Sequence, residues 1–154
     1  MPLPGKGITS VFGWRIHPIF HRRIFHDGVD FAAEAGEKVH CVLDGLVRSA
    51  GPCPGYGNTV MVYHPLTRTT SMYAHLSRVL VKPGQNVHEG AIVGMAGSTG
   101  FSTGVHLHFG VQSSAGKWID PLAFLHRLSM SNSLAFHQHL DATKSGAAAT
   151  KAQS

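Results

Sequence analysis

Two histidines one residue apart, His106 and His108, stand inside an apolar run, Val105-His106-Leu107-His108-Phe109-Gly110-Val111. In a β-strand alternate side chains share a face, so both imidazoles would point one way and Leu107 and Phe109 the other. Upstream, His26 and Asp30 stand four residues apart, again an even spacing. Three such groups converging give N/N/O coordination with one position open. That is the arrangement zinc enzymes use to activate a water.

The elements that must position these groups read as short strands. The chain has 18 glycines and 8 prolines in 154 residues. They cut the first 125 residues into short pieces, the pattern of an all-β domain. Val39–Val47 and Thr59–Tyr63 read as strands around a Gly51–Gly57 turn. Thr69–Ala74, Arg78–Val81, Val87, Ile92–Ala96 and Val105–Gln112 follow. Gly97–Gly104 is a small-residue loop just before the histidine pair, suited to the rim of a cleft. Asp120 caps a short helical turn with Pro121 at its first position. Ser129–Asp141 reads as a weak helix, and Thr143–Ser154, with nothing apolar to bury, as disordered. The expected organisation is one domain over residues 1–126 and a weakly helical, then disordered tail over residues 127–154.

Composition narrows the partners. Hydrophobic residues make up 43% of the chain, enough for an ordinary globular core, and no apolar run approaches the ~20 residues of a membrane span. Charged residues are only 14%, the formal net charge is +5, and twelve histidines stand out. A positive balance favours an anionic partner such as a cell-wall polymer. Nucleic acid is not supported, because the basic residues are scattered, apart from Arg22-Arg23, and no recognition motif appears. Met1–Gly7 shows no charged segment followed by an apolar stretch, so the expectation is export by a route not visible in the sequence. Cys41 and Cys53 have no Cys-x-x-Cys spacing and read as one buried thiol and one loop thiol, a disulfide being the alternative.

Seven segments occur in order: Phe12-Gly13-Trp14-Arg15-Ile16-His17-Pro18, Phe25-His26-Asp27-Gly28-Val29-Asp30-Phe31, Gly55-Tyr56-Gly57-Asn58, Met72-Tyr73-Ala74-His75-Leu76-Ser77, Gly97-Ser98-Thr99-Gly100, Val105–Phe109 and Asp120-Pro121-Leu122. With these the chain resembles the lysostaphin-like (LytM-type) zinc endopeptidases, which cut peptide cross-links in bacterial cell walls. The resemblance runs from about Ser10 to Leu125. It implies a mostly antiparallel β core with a groove holding one zinc ion at its floor. It implies that His26, Asp30 and His108 bind that zinc, and that His75 and His106 are the catalytic histidines beside it. It also implies peptidoglycan as partner, a monomer, and a place in the periplasm or cell envelope, or secretion.

This chain has no His-Glu-x-x-His motif and hence no glutamate base of that kind, so the two auxiliary histidines must move the protons. One neutral imidazole can orient or deprotonate the water; the other, protonated, can stabilise the oxyanion or protonate the leaving amine. The sequence departs from the family pattern at Asp27, commonly neutral, at Val105, commonly proline, and at Gly110, often glutamate. Asp27 reads as a solvent-facing residue, the alternative being a charge that modulates the local field. The stretch Phe20–Phe25 lacks the tyrosine many members place before the first zinc histidine; His21 or Arg22 is the candidate replacement donor. Arg15 reads equally as a contact for an acidic wall group or as a structural arginine. His17, His40, His64, His88 and His126 read as surface or packing residues, and His137-Gln138-His139 as part of the tail. The leading function is hydrolysis of D-alanyl–diaminopimelate cross-links. The alternative is a non-catalytic wall-binding or hydrolase-activating domain of the same fold. A structural zinc domain is disfavoured, since such a site closes its fourth position with cysteine or histidine.

Overall fold

The computed structural model describes residues 1–150. Twelve strands and one helix follow in chain order: β1 (Ile8–Ser10), β2 (Gly13–Ile16), β3 (Arg23–His26), β4 (Gly28–Ala32), β5 (Lys38–His40), β6 (Gly45–Cys53), β7 (Gly57–His64), β8 (Thr69–Val79), β9 (Asn86–Val87), β10 (Ile92–Ala96), β11 (His106–Gln112), β12 (Trp118–Ile119) and α1 (Pro121–Thr150). Ten strands form one sheet in the order β1-β4-β11-β8-β7-β6-β9, with β10 joining β8 to β5 and β12 on β11. Every pairing is antiparallel. β2 and β3 make a separate two-stranded ribbon.

Period-2 alternation sorts the central strands into two faces. Val29 and Phe31 of β4 and Leu107, Phe109 and Val111 of β11 are fully buried together with Tyr73, Val60 and Val62. The Phe31 and Phe109 rings meet edge-on at 6.4 Å, and Tyr73 lies 5.4 Å from Phe109. Truncating an aromatic ring in such a core costs about 3–5 kcal/mol, so the strands that carry the opposite face have a rigid backing. On that opposite face stand Gly28 and Asp30 from β4 and His106, His108 and Gly110 from β11.

Three elements differ from the sequence reading. Val39–Val47 is not one strand: β5 ends at His40 and β6 starts at Gly45. The chain changes partner there, from β10 to β7 and β9, and must bend to do so. Thr69–Ala74 and Arg78–Val81 are largely one strand, β8, made continuous by a bulge. The capped turn at Asp120 and the weak helix over Ser129–Asp141 are a single helix, α1, rather than a short one; Asp120 Oδ1 accepts from the Leu122 N–H at 3.0 Å. The stretch expected to be disordered from Thr143 is helical to Thr150, and residues 151–154 lie outside those described. Met1–Leu122 forms one compact unit, and a second begins at Ala123. No helix of the described chain is long and apolar enough to cross a membrane.

Candidate active site

β4 and β11 run side by side with Asp30 directly opposite His108, so the two side chains stand next to each other on the same face. His26 closes the cluster from a different element. It is the last residue of β3, and the chain breaks at Asp27 before β4 begins, so His26 and Asp30 do not share a strand face. They meet through that break. His26 Nε2 is 3.2 Å from Asp30 Oδ1 and 3.1 Å from His108 Nδ1, and His108 Nδ1 is 3.0 Å from Asp30 Oδ1. All three residues are buried.

This triangle fits a metal ion. A tetrahedral ion with bonds of ~2.0–2.1 Å needs ligand atoms about 3.3 Å apart. The three observed edges lie within a few tenths of an ångström of that. His26, Asp30 and His108 are also the one group of three or more His, Cys, Asp or Glu side chains among the described residues with metal-binding geometry. Both cysteines are free, Cys41 buried and Cys53 part-exposed, and neither belongs to that group.

Backbone carbonyls set the imidazole tautomers, because a carbonyl only accepts. His26 Nδ1–H donates to Val11 O at 2.8 Å, His75 Nδ1–H to Thr99 O at 2.7 Å, and His106 Nδ1–H to Gly104 O at 2.9 Å. Each bond leaves Nε2 as the basic nitrogen. His106 Nε2 lies 3.8 Å from Asp30 Oδ1, and the His75 and His106 rings stand 4.7 Å apart. His108 is turned the other way, with Nδ1 toward Asp30 and His26.

His75 reaches the site by an irregularity. Asn58 pairs with Leu76 and Val60 with Tyr73, so β8 holds one more residue than β7 at this point. His75 takes φ +58°, left-handed for a non-glycine residue, and its N–H donates to Tyr56 O at 2.8 Å. Such a bulge re-aims a side chain, and local strain of this kind collects at functional sites. Thr99 holds the partner loop. Its hydroxyl donates to Leu76 O at 2.6 Å and accepts from the Asn58 N–H at 3.0 Å.

The electrostatics follow from burial and these contacts. Burial pushes the Asp30 carboxyl up, but the His108 and His26 bonds outweigh it and hold Asp30 well below the ordinary carboxylate range. Burial lowers the His75 imidazole against the upward pull of the Thr99 carbonyl. Asp27 is raised by burial yet held below its ordinary value by His108 and Tyr56.

The site opens into a groove of about 690 Å³. Its floor holds His26, Asp30, His75, His106 and His108; its walls include Arg15, Phe20, Arg22, Tyr56 and Phe101. The structure thus brings all five sequence-selected residues into one groove. Phe20 and Phe101 face each other nearly parallel at 6.1 Å, and Arg22 sits 5.4 Å over Phe20. Arg15 bonds Ser10 through Nη1 while its buried Nε has no partner. His17, read as a surface or packing residue, lines the groove and stacks on Phe20 at 4.5 Å. His64 is fully buried far along β7, 2.7 Å from Ser71 Oγ.

Two residues depart from the sequence reading. Asp27 does not face solvent: it accepts a hydrogen bond from the Tyr56 hydroxyl, and its Oδ1 lies 3.1 Å from His108 Nε2. Tyr56 brings a phenol into the groove, although the stretch before His26 has none. An aromatic residue clamped between glycines, Gly55-Tyr56-Gly57, was the signal available for it.

Residues 24–121 match the profile of Peptidase family M23. A DD-carboxypeptidase/endopeptidase, Mpg, of Neisseria meningitidis serogroup B is 41% identical over 122 residues, 79% of this chain and 28% of the relative. A zinc-containing peptidase from Vibrio cholerae superposes with TM-score 0.71 at 37% identity, over 77% of this chain and 37% of the other. The catalytic domain of lysostaphin from Staphylococcus simulans gives TM-score 0.70 at 32% identity, over 79% of this chain and 92% of that domain. The chain spans little more than a quarter of the length of the Neisseria relative.

Proposed function

Since the chain belongs to Peptidase family M23, we propose that it is a zinc-dependent endopeptidase of bacterial peptidoglycan, with D-alanyl–diaminopimelate cross-links as substrate. The observation that carries this reading is the triangle of His26 Nε2, Asp30 Oδ1 and His108 Nδ1, with two further imidazoles beside it. Two nitrogens, one carboxylate oxygen and no thiolate suit zinc with an open fourth position. A zinc ion held there supplies a Lewis acid that polarises the scissile carbonyl and eases ionisation of water.

The chain's own residues do the rest. His26, Asp30 and His108 bind the ion, and His75 and His106 act on protons. With Nδ1–H of each tied to a carbonyl, Nε2 is the atom that exchanges a proton with the reactants. One Nε2 takes a proton from the attacking water. The other imidazole, protonated, stabilises the oxyanion and delivers a proton from Nε2 to the leaving amine. The arginine-bearing wall of the groove suits a stem peptide with free carboxylates. The net charge of +5 favours the same anionic wall. The name of the Neisseria relative, a DD-carboxypeptidase/endopeptidase, supports the choice of bond. Residues 1–126 constitute the peptidase domain and residues 127–154 an appendage, and the protein works as a monomer in the periplasm or cell envelope, or after secretion.

Digestion of purified walls of known cross-link type, followed by mass spectrometry of the muropeptides, tests this. Monomeric muropeptides should appear from a diaminopimelate-type wall, with one zinc per chain in the active protein. Activity confined to pentaglycine-bridged walls would refute the substrate assignment. Full activity in zinc-free protein would refute the zinc reading.

A further inference from the structure

Three of the four imidazoles on the groove floor have their outward nitrogen on a backbone carbonyl: His26 on Val11, His75 on Thr99, His106 on Gly104. His108 has none. Its Nε2 is buried without an aligned hydrogen-bond partner, and Asp27 Oδ1 stands 3.1 Å away, at ion-pair distance. The other oxygen of that carboxylate, Oδ2, accepts from the Tyr56 hydroxyl. The Tyr56 ring lies 5.7 Å from the His108 ring, so phenol, carboxylate and imidazole form one contiguous group.

We propose that Asp27, held by Tyr56, is a positioning residue for the metal through His108, serving this ligand as the carbonyls serve the other imidazoles. This rests on the reading of His26, Asp30 and His108 as the metal ligands. A carboxylate beside Nε2–H fixes the tautomer that leaves Nδ1 free to bind. It also increases the electron density that Nδ1 offers, which a neutral carbonyl does less strongly. The position next to the first ligand makes this possible: the chain turns at Asp27 between β3 and β4, directing its side chain at the ligand on β11. Tyr56 arrives from the turn between β6 and β7 and fixes the carboxylate rotamer. Three loops or strands far apart in sequence therefore converge on one nitrogen.

The test is metal affinity of the full chain, stripped by dialysis against a chelator and titrated with zinc against a chromophoric competitor. Asp27→Ala should weaken zinc binding by about 10–100-fold, the usual loss when an outer partner of a ligating histidine is removed. Asp27→Asn, which keeps the shape and an acceptor oxygen but loses the charge, should fall between wild type and Ala, and carries the test if Ala fails to fold. Tyr56→Phe should weaken binding less than either. Replacing zinc by cobalt gives a second readout, because the visible ligand-field bands report coordination: they should shift in Asp27→Ala. The melting temperature of the metal-free variants should match that of the metal-free parent. Zinc affinities of both Asp27 variants within twofold of wild type, with an unchanged cobalt spectrum, would overturn the proposal while leaving the ligand set intact, provided His108→Ala loses the metal. Undiminished binding in His108→Ala would instead overturn the ligand reading beneath it.

Discussion

Replacing Gly28 by alanine should dismantle the metal site from beneath. Gly28 faces Gly110 across the β4–β11 ladder, and the His108 ring lies over it. A Cβ at Gly28 would stand 2.7 Å from His108 Cε1 and Nε2 and 2.5 Å from the Phe109 carbonyl oxygen. Ordinary contact begins near 3.4 Å, so the imidazole must retreat by about 0.7 Å. Metal–ligand distances tolerate only ~0.2 Å, and a misplacement of about 1 Å at reacting groups costs on the order of 10²-fold in rate. The carbonyl cannot swing away freely, because it belongs to the core strand. The overpacking should cost about 1–3 kcal/mol, a fall in melting temperature on the order of 5 °C. Zinc content after dialysis, release of labelled wall fragments and thermal denaturation would be measured together. Gly7→Ala is the control: nothing lies within 4 Å of its added Cβ, and it should leave all three unchanged or raise stability slightly. A Gly28→Ala protein with full zinc, near wild-type turnover and an unchanged melting temperature would refute the idea that His108 needs that space.

Replacing His75 or His106 by alanine should cut turnover by about 10²–10⁴-fold while zinc stays bound; loss of zinc on replacing His106 would mean that the ligand and catalytic roles within the His106–His108 pair are reversed. Burial holds the His64 imidazole below its ordinary value of 6.5. The unfolded chain therefore takes up this proton first as pH falls, and stability should drop below about pH 6.5 toward the folded-state pKa. His64→Gln should flatten that slope by up to about 1.4 kcal/mol per pH unit, read by urea unfolding between pH 5 and 7; an equally steep slope in the variant would exclude His64 as its source. Truncation after Leu140 should leave turnover and melting temperature as they are, and a large loss of either would show that the removed segment takes part in the fold or the groove.

The linear order of motifs was enough for the family and the mostly antiparallel fold. Period-2 alternation around His106 and His108, and glycine and proline spacing, are written in neighbouring residues, where a strand's physics is local. The same alternation set Leu107 and Phe109 on one face and the two imidazoles on the other; that Val29 and Phe31 join the buried face is visible only in the folded sheet. Helix extent was not legible: α1 runs on through Ser129–Thr150, a stretch with weak periodicity that gave no reason to join it to the capped turn at Asp120. Nor was the direction of the individual imidazoles. Which nitrogen of His26 and of His75 points into the groove depends on the carbonyls of Val11 and Thr99, brought there by other segments, whereas His106 uses the Gly104 carbonyl two residues away. His75 enters because β8 carries one residue too many against β7, a property of the pairing and not of either strand alone. In the sequence Asp27 is a charge beside His26 that reads more readily as facing water than as acting on the local field. Only the register that sets His108 opposite Asp30, and the turn that delivers Tyr56, give it partners. Residue types and their local period decide what a strand can offer; register, bulges and long-range carbonyls decide which atom of each side chain is offered, because those contacts join segments that the chain keeps far apart.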